Sequence, residues 1–331
     1  MRLWFDLSTP KEVLFFKGMI REMAQRGHKV IITTRKYTET NDLIRYFRLE
    51  AKEIGTHGKT RTEKLWCSID RLKKLYRFFN DKPIDAVITL SNPEACRIAF
   101  GLGFPIFNFI DIPEAETVCR LTLPLSSQVF IPFHVPREAI RRYWTGEPFV
   151  YDCFDVSAWM PKNPAPLSQL DLPEKLVKRV PTQRLIIYRE AEVKASYFQA
   201  LGKQDLTLDI IKNLKKKYPK IVFLQASRYK KHRVVDMQSL LDYATLFIGG
   251  GGTMNLEASY WGTWTISCRP FLTSYDEWLQ NNRSQIHVDT VEDGVQVASE
   301  MLDRADKNPC SAIIRKMQFP LDNICSFIEQ F

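Results

Sequence analysis

The stretch Leu246–Ser267, LFIGGGGTMNLEASYWGTWTIS, decides the fold. Leu246 to Ile248 is a short apolar run that reads as a buried strand. Four glycines follow, Gly249 to Gly252, then a helical run from Thr253 to Trp261. Gly262 is placed to stop that helix, and Trp264 to Ser267 reads as a second strand. Strand, glycine turn, helix and strand is the form of a nucleotide-binding α/β half-unit. Without a Cβ, the glycines let backbone amides come close to a ligand. The first amides of the helix lack internal partners and carry the positive end of its dipole, so a phosphate is their natural guest. Glu257 falls one helical turn past Thr253, where a carboxylate can accept hydrogen bonds from a ribose diol and would face a cleft rather than the core. The plainer reading is a tight turn followed by a solvated acid. The spacing is not G-x-G-x-x-G and lacks the lysine of a phosphate loop, so neither NAD nor ATP is specifically indicated.

Composition sets the bounds around this stretch. The 331 residues suit two domains, and 45% hydrophobic with 26% charged residues buries a sizeable core. A formal net charge of +9 favours anionic partners, whether nucleotides, phospholipid surfaces or nucleic acid. Seven cysteines, an odd number with no C-x-x-C pair, fit reduced and mostly buried thiols in a cytoplasmic protein. The opening MRLWFDL reads as a strand rather than a signal peptide, and no apolar run approaches the ~20 residues of a membrane span.

In chain order, strands and helices alternate. Arg2 to Leu7 is a strand, and Val13 to Gln25 a helix with Val13, Phe16, Ile20 and Met23 on one face. Lys29 to Thr34 is a second strand. A helix near Thr40 to Phe47 leads to a strand near Ala51 to Ile54 and the loop Gly55-Thr56-His57-Gly58-Lys59. Glu63 to Phe79 is a basic amphipathic helix, expected to turn Leu65, Ile69, Leu72 and Tyr76 inward and Arg71, Lys73, Lys74 and Arg77 outward. Ala86 to Leu90 is a strand, Asn92 or Ser91 can cap the helix that Pro93 begins, and Phe104 to Ile110 is a strand ending at Asp111. The runs Val129 to Phe133 and Phe149 to Tyr151 close this half. Prolines between Ala158 and Pro173 mark a linker. The second half repeats the alternation: strands Leu185 to Tyr188 and Ile221 to Gln225, a basic helix Leu206 to Lys217, then the glycine stretch. Val291 to Leu302 and Ile313 to Phe331 read as helices. Such alternation implies parallel, doubly wound sheets.

Seven stretches carry a family resemblance: MRLWFDLSTP with VLFFK, RGHKV, IGTHGK, SNPEACRIAFGLGFP, RLTLPL and GGGGTMNLEAS. Together they resemble a family of predicted glycosyltransferases common in archaea, catalogued as domain of unknown function three-five-four. The resemblance runs along most of the chain. The glycine stretch is also similar to the donor loop of the lipid-intermediate sugar transferase of peptidoglycan synthesis and to that of the UDP-sugar 2-epimerases. The resemblance implies an α/β fold of two Rossmann-like domains facing across a cleft, the B type of glycosyltransferases. Residues 1–155 would form an acceptor domain and 156–310 a nucleotide-sugar domain. Residues 311–331 would be a helix crossing back to the first domain.

Carried over by position, the resemblance puts the donor diphosphate on Gly250, Gly251, Gly252, Thr253 and Met254, the ribose on Glu257, and Arg189 opposite the phosphates. Arg189 is equally readable as a surface arginine. Candidate bases are His57, Glu12 and Asp111, each on a loop at a strand end, where α/β sheets place ligand sites. His57 has the pKa range of a base at neutral pH but also reads as a turn histidine. Glu12 stands where relatives are expected to carry histidine. The residues after Asp111, Ile112-Pro113-Glu114, depart from the family pattern. Asp6, Thr9 and Asn92 would lie on the acceptor side, with Asp6 also able to brace its turn. Asp276, Glu277 and Trp278 are placed to meet the donor sugar, or are surface polar residues. The expected ligands are a nucleotide sugar as substrate, with no cofactor, and a glycan or lipid-linked acceptor. No metal is expected: there is no Asp-x-Asp pair, and His28, His57, His134, His232 and His287 lack ligand spacing.

Three functions compete. The first is a metal-independent glycosyltransferase, the second a UDP-sugar 2-epimerase, and the third a non-catalytic nucleotide binder. A nucleic-acid partner is not expected, because no nucleic-acid motif accompanies the basic helices around Arg71 and Lys215. Arg71, Lys73, Lys74 and Arg77 beside Tyr76 and Phe78 also suggest weak, salt-sensitive attachment to anionic bilayers on the cytoplasmic face.

Overall fold

The structure, a computed structural model, describes residues 1–191, 205–226, 236–304 and 306–331; His232 lies outside them. The chain divides into two compact units, Met1–Trp159 with Gln318–Phe331, and Met160–Met317.

In the first unit, β1 (Arg2–Leu7) is followed by α1 (Pro10–Gln25), β2 (Lys29–Lys36), α2 (Thr38–Tyr46), β3 (Ala51–Thr56), α3 (Arg61–Phe79), β4 (Ala86–Thr89), α4 (Pro93–Leu102), β5 (Ile106–Phe109), α5 (Glu116–Thr122), β6 (Gln128–Pro132), α6 (Arg137–Arg141) and β7 (Phe149–Tyr151). Among the described residues the strands form a seven-stranded parallel sheet in the order β3-β2-β1-β4-β5-β6-β7. The chain therefore winds outward from β1 to β3, then restarts at β4 on the other side of β1. In open α/β sheets the carboxyl ends of the strands at such a reversal are the usual ligand site. Leu3 to Leu7 are fully buried, as a central strand covered on both faces requires.

The second unit contains α7 (Glu174–Arg179), β8 (Leu185–Arg189), α8 (Thr207–Lys217), β9 (Val222–Gln225), α9 (Met237–Leu240), β10 (Leu246–Gly249), α10 (Thr253–Tyr260), β11 (Trp264–Ser267), α11 (Ser274–Asn281), β12 (Gln285–His287), α12 (Val291–Leu302) and α13 (Ser311–Ile314). Its parallel sheet runs β12-β11-β10-β8-β9 among the described residues. Here the winding reverses between β8 and β10. Ile186, Ile248, Ile266, Ile210, Leu214 and Met301 pack its core between strands and helices.

Three features differ from the sequence expectations. The first unit extends to Trp159 because Asp155 is held inside it, accepting from the Tyr151 hydroxyl at 2.6 Å and pairing with Lys11 at 2.8 Å, while Trp159 packs on Phe15. The helix expected from Ile313 is split in two: α13 ends at Ile314, residues 315–320 are not helical, and α14 (Leu321–Gln330) starts after Pro320, a residue suited to precede a helix rather than to continue one. Ile314 stays buried in the second unit. Only Gln318–Phe331 belongs to the first, where Phe327 meets Phe130 and Phe149, and Glu329 binds Arg26 at 2.9 Å and His28 at 2.6 Å.

The third correction is the register of α3. Arg71, expected outside, is fully buried with Leu75 and Phe79. Leu65, Ile69 and Tyr76, expected inside, are exposed. The 71-75-79 spacing is the buried line, and burial of the Arg71 guanidinium follows from its partners. It donates to Asp6 Oδ1 at 2.6 Å and to the Ile54 carbonyl at 3.0 Å.

Candidate functional site

The glycine turn sits at the reversal point of the second sheet. Gly249 is the last residue of β10 and pairs in register with Arg189, the last of β8. Gly251 and Gly252 have φ of +86° and +102°, which side chains rarely adopt. A Cβ on Gly250 would lie 2.3 Å from that of Ala191, and one on Gly251 would lie 2.5 Å from Arg269 Cδ. Around a Cβ on Gly252 there is nothing within 4 Å. Packing thus accounts for Gly250 and Gly251, whereas Gly252 borders open space. Thr253 and Met254 form the first turn of α10 beyond it. Arg189 Nη1 reaches Met254 Sδ at 3.3 Å, so the arginine lies beside that turn. The Gly252 amide donates to the Tyr275 hydroxyl at 3.1 Å, and Tyr275 accepts from Arg269 Nη1 at 2.6 Å. Arg269 and Tyr275 were not singled out from the sequence. Their signal is weak: they lie beyond the strand after the glycine turn, and only the paired register of β10 and β11 brings them back.

Two expectations in this unit are corrected. Glu257 does not face an open cleft: α10 is buried along its length, and Glu257 is 2% exposed with Oε1 accepting from Gln238 Nε2 at 3.1 Å. Asp276 is not a surface or sugar-facing acid. It is fully buried, closes a capping box with Thr273, and accepts from Arg269 at 3.1 Å and Gln285 at 2.9 Å. Glu277 is exposed and Trp278 half-buried.

In the first unit, the reversal between β1 and β4 gathers several of the residues marked from the sequence. Thr9 caps α1, accepting from the Glu12 amide at 3.4 Å and donating its hydroxyl to Glu12 Oε1 at 3.0 Å. Glu12 Oε2 accepts from the Ser8 amide at 2.5 Å. Asn92 caps α4 through the Ala95 amide at 3.1 Å and donates to Ser8 Oγ at 2.7 Å. Next to it Ser91 has φ +53°, an uncommon conformation for a non-glycine residue, of the kind that clusters at functional sites. Burial pushes the Glu12 carboxyl up to about 7, with Asp6 adding to the rise and the Ser8 amide opposing it. Asp6 is fully buried and bound by Arg71, Thr33 and Ser8.

Asp111 and His57 are placed differently. Asp111, just past β5, is bound by Lys11, which also pairs with Asp155. Burial alone would lower the Lys11 ammonium, but the two aspartates outweigh it and hold its pKa above the ordinary lysine value. His57 follows β3, is exposed, and meets the Tyr37 ring edge-on at 5.7 Å. β3 is separated from β1 by β2, so His57 follows a different strand end from the one that leads to Glu12. The structure thus joins Glu12 to Asp6, Thr9 and Asn92, links Asp111 to them through the neighbouring Lys11, and leaves His57 apart. Among the described residues, no group of three His, Cys, Asp or Glu side chains could hold a metal ion.

Two parallel sheets, each reversing at a loop-rich edge, define the B-type fold of glycosyltransferases and UDP-sugar 2-epimerases. The chain belongs to the family described as protein of unknown function DUF354, which matches residues 1–329. A relative, the uncharacterized protein MJ0665 of Methanocaldococcus jannaschii, is 24% identical over 320 residues, covering 91% of each chain. Three solved structures show the same fold at low identity. The S. aureus MnaA–UDP co-structure has a TM-score of 0.78 at 12% identity, covering 99% of this chain and 96% of that one. The M. jannaschii UDP-GlcNAc 2-epimerase in complex with UDP-GlcNAc and UDP has a TM-score of 0.70 at 15% identity, covering 96% and 99%. The spinosyn forosaminyltransferase SpnP has a TM-score of 0.68 at 15% identity, covering 100% and 99%.

Proposed function

We propose that the second unit binds a nucleoside diphosphate sugar at the glycine turn and that the protein transfers the sugar to an acceptor hydroxyl. The observation that carries this reading is Gly252: a left-handed residue bordering open space, at the sheet's reversal point, next to Arg189 and the start of α10. In this reading the amides of Thr253 and Met254 hold the diphosphate, joined by that of Gly251 and, once the Tyr275 hydroxyl yields it, that of Gly252. The Gly250 amide stays on the Arg189 carbonyl at 3.1 Å, and Gly250 shapes the turn. Helix amides and Arg189 offset the charge that develops on the leaving diphosphate, so no metal is needed. Glu257 holds the ribose once Gln238, which covers its Oε1 at 3.1 Å, turns aside to admit the diol to this buried carboxylate. Glu12 is the base, with a pKa near 7 that suits proton removal at neutral pH, a contribution of ~10²–10⁴-fold. His57 is the second candidate base, Asp111 the third, and Asp6, Thr9 and Asn92 shape the acceptor edge. The protein acts in the cytoplasm.

Calorimetry with UDP, GDP and ADP on the parent protein and on Gly252→Val tests the donor site. Binding of one nucleotide by the parent and none by Gly252→Val is the expected result; equal binding by both proteins would place the nucleotide elsewhere. A second reading, an epimerase acting on the same donor, is supported by the fold shared with the M. jannaschii UDP-GlcNAc 2-epimerase. Proton NMR of UDP-GlcNAc incubated with the protein alone separates the two, since only the isomerase forms the epimer without an acceptor.

A further inference from the structure

The outer face of α3 is apolar where a surface helix is ordinarily polar. Leu65, Trp66, Ile69 and Tyr76 are 63%, 69%, 50% and 51% exposed. Of the twelve large hydrophobic side chains exposed among the described residues, these four share one helix. At 100° per residue, Leu65, Tyr76, Ile69, Lys73, Trp66 and Arg77 occupy a continuous arc of about 120°. The apolar stripe of Leu65, Ile69 and Tyr76 is thus edged by Trp66, Lys73 and Arg77. The buried line, Arg71, Leu75 and Phe79, faces the core alongside the stripe, with Phe79 about 40° from Leu65, so the apolar surface continues outward from the buried face.

The charges around the stripe are mostly basic. Arg61, Lys73, Lys74 and Arg77 are exposed. The two acids on the helix are engaged locally. Glu63 closes the capping box with Thr60 and accepts from the Lys59 amide at 2.8 Å, and Asp70 binds Lys74 at 2.6 Å. An apolar stripe with an indole at its edge and the exposed cations Lys73 and Arg77 beside it matches the interfacial region of an anionic bilayer, with acyl chains below and phosphates around. A soluble protein partner would be matched by the apolar stripe but would not call for the cations; a chain of net charge +9 also disfavours a second copy of itself on this face.

We propose that the exposed face of α3 is a docking surface for anionic lipid bilayers, with Leu65, Ile69 and Tyr76 entering the headgroup–acyl boundary and Lys73 and Arg77 meeting lipid phosphates. Among the described residues no helix is long and apolar enough to cross a membrane, so attachment is peripheral. Leu65, Trp66 and Ile69 lie in the first turns of α3, one short loop after β3, at the sheet edge that carries His57 and Glu12. If the reaction proposed above holds, a docked protein would meet a lipid-borne acceptor at that edge. The docking itself does not depend on that reading, and the two have separate tests.

The test is sedimentation of the full chain with vesicles of phosphatidylcholine alone and with 30% phosphatidylglycerol, at low and high salt. The parent should bind the anionic vesicles and be released by salt. Each basic residue near such a surface contributes about fivefold in partitioning, so Lys73→Ala/Arg77→Ala should weaken binding about 25-fold. Leu65→Ser/Ile69→Ser should abolish it while circular dichroism and nucleotide binding stay those of the parent, both residues being exposed. Equal sedimentation with neutral and anionic vesicles would overturn the proposal, as would equal binding by parent and variants. So would light scattering that shows a dimer dissolved by Leu65→Ser/Ile69→Ser in a protein that ignores vesicles; the face would then be a self-association surface.

Discussion

Burial of Glu12 should make stability depend on pH in a direction opposite to that of most carboxylates. Its pKa is about 7 in the folded protein against an ordinary 4.5, with burial as the main cause. The folded state therefore binds more protons than the unfolded chain between those values, and stability falls as pH rises through that window. The stabilising contribution is fully present below pH ~4.5 and lost above pH ~7. At about 1.4 kcal/mol per pH unit the loss is about 3 kcal/mol, to order of magnitude. Urea unfolding of the parent and of Glu12→Gln at pH 5 and pH 8 isolates this group, since all other titrations are shared. The parent should lose about 3 kcal/mol more than the glutamine variant between the two pH values. At pH 8 the variant should be the more stable protein, because it buries no charge. Parallel loss in both proteins would show that Glu12 is hydrated and its carboxylate ordinary. That outcome would also remove the reason for choosing it over His57 as the base.

Arg71→Met should destabilise the first unit by about 3–5 kcal/mol, because it leaves Asp6 charged and buried; Asp6→Asn with Arg71→Met should recover most of the loss, and a single variant that melts like the parent would refute the pair's role. Glu257→Ala should weaken nucleotide binding ten- to a hundredfold, at about 1.5–3 kcal/mol for hydrogen bonds to a charged group. Because Glu257 is buried, the same change should also cost about 1–3 kcal/mol of stability by stranding Gln238, which thermal unfolding reads separately from calorimetry.

The α/β alternation and the glycine turn were legible because they rest on local chemistry: short apolar runs, proline at a helix start, glycine where φ must be positive. Asn92 and Pro93 announced their cap in the same way, whereas Thr9, expected only on the acceptor side, caps a helix that starts at Pro10 rather than Val13. The register of α3 was misread because a fully buried arginine scores as surface in any periodicity argument. Only its long-range partners, Asp6 sixty-five residues away and the Ile54 carbonyl, reveal its place. Lys11 was invisible for the same reason, its carboxylate partners being Asp111 and Asp155. The two reversal points could not be read at all without strand order, since parallel strands leave no local record of which neighbour they join. Burial of Glu257 was missed because α10 is enclosed on every side and shows no amphipathic pattern to indicate it.

The family motifs divide once packing is taken into account. In IGTHGK, Gly55 has φ +83°, and a Cβ there would lie 2.9 Å from Arg71 Cβ. A Cβ on Gly58 would lie 2.3 Å from the Glu63 carbonyl carbon. Both glycines beside His57 are thus explained by the path of Arg71 and the seating of α3. Arg71 then ties this motif to Asp6 of WFDLSTP at 2.6 Å and approaches Glu94 of SNPEA at 3.9 Å, so three motifs meet on one buried cation. Their residue types follow from a structural need, and the presence of His57 among them is no argument for catalysis. Glu12 and Gly252 are different. A carboxyl buried against its own charge lowers stability at neutral pH, and a strained glycine facing open space fills no gap in the core. Glu12 does close the Ser8–Thr9 turn at the start of α1, but that role does not call for a buried charge, and the open space beside Gly252 does not call for a glycine; each lies at the reversal point of its own sheet. They are therefore the positions at which substitution should separate binding and chemistry from folding.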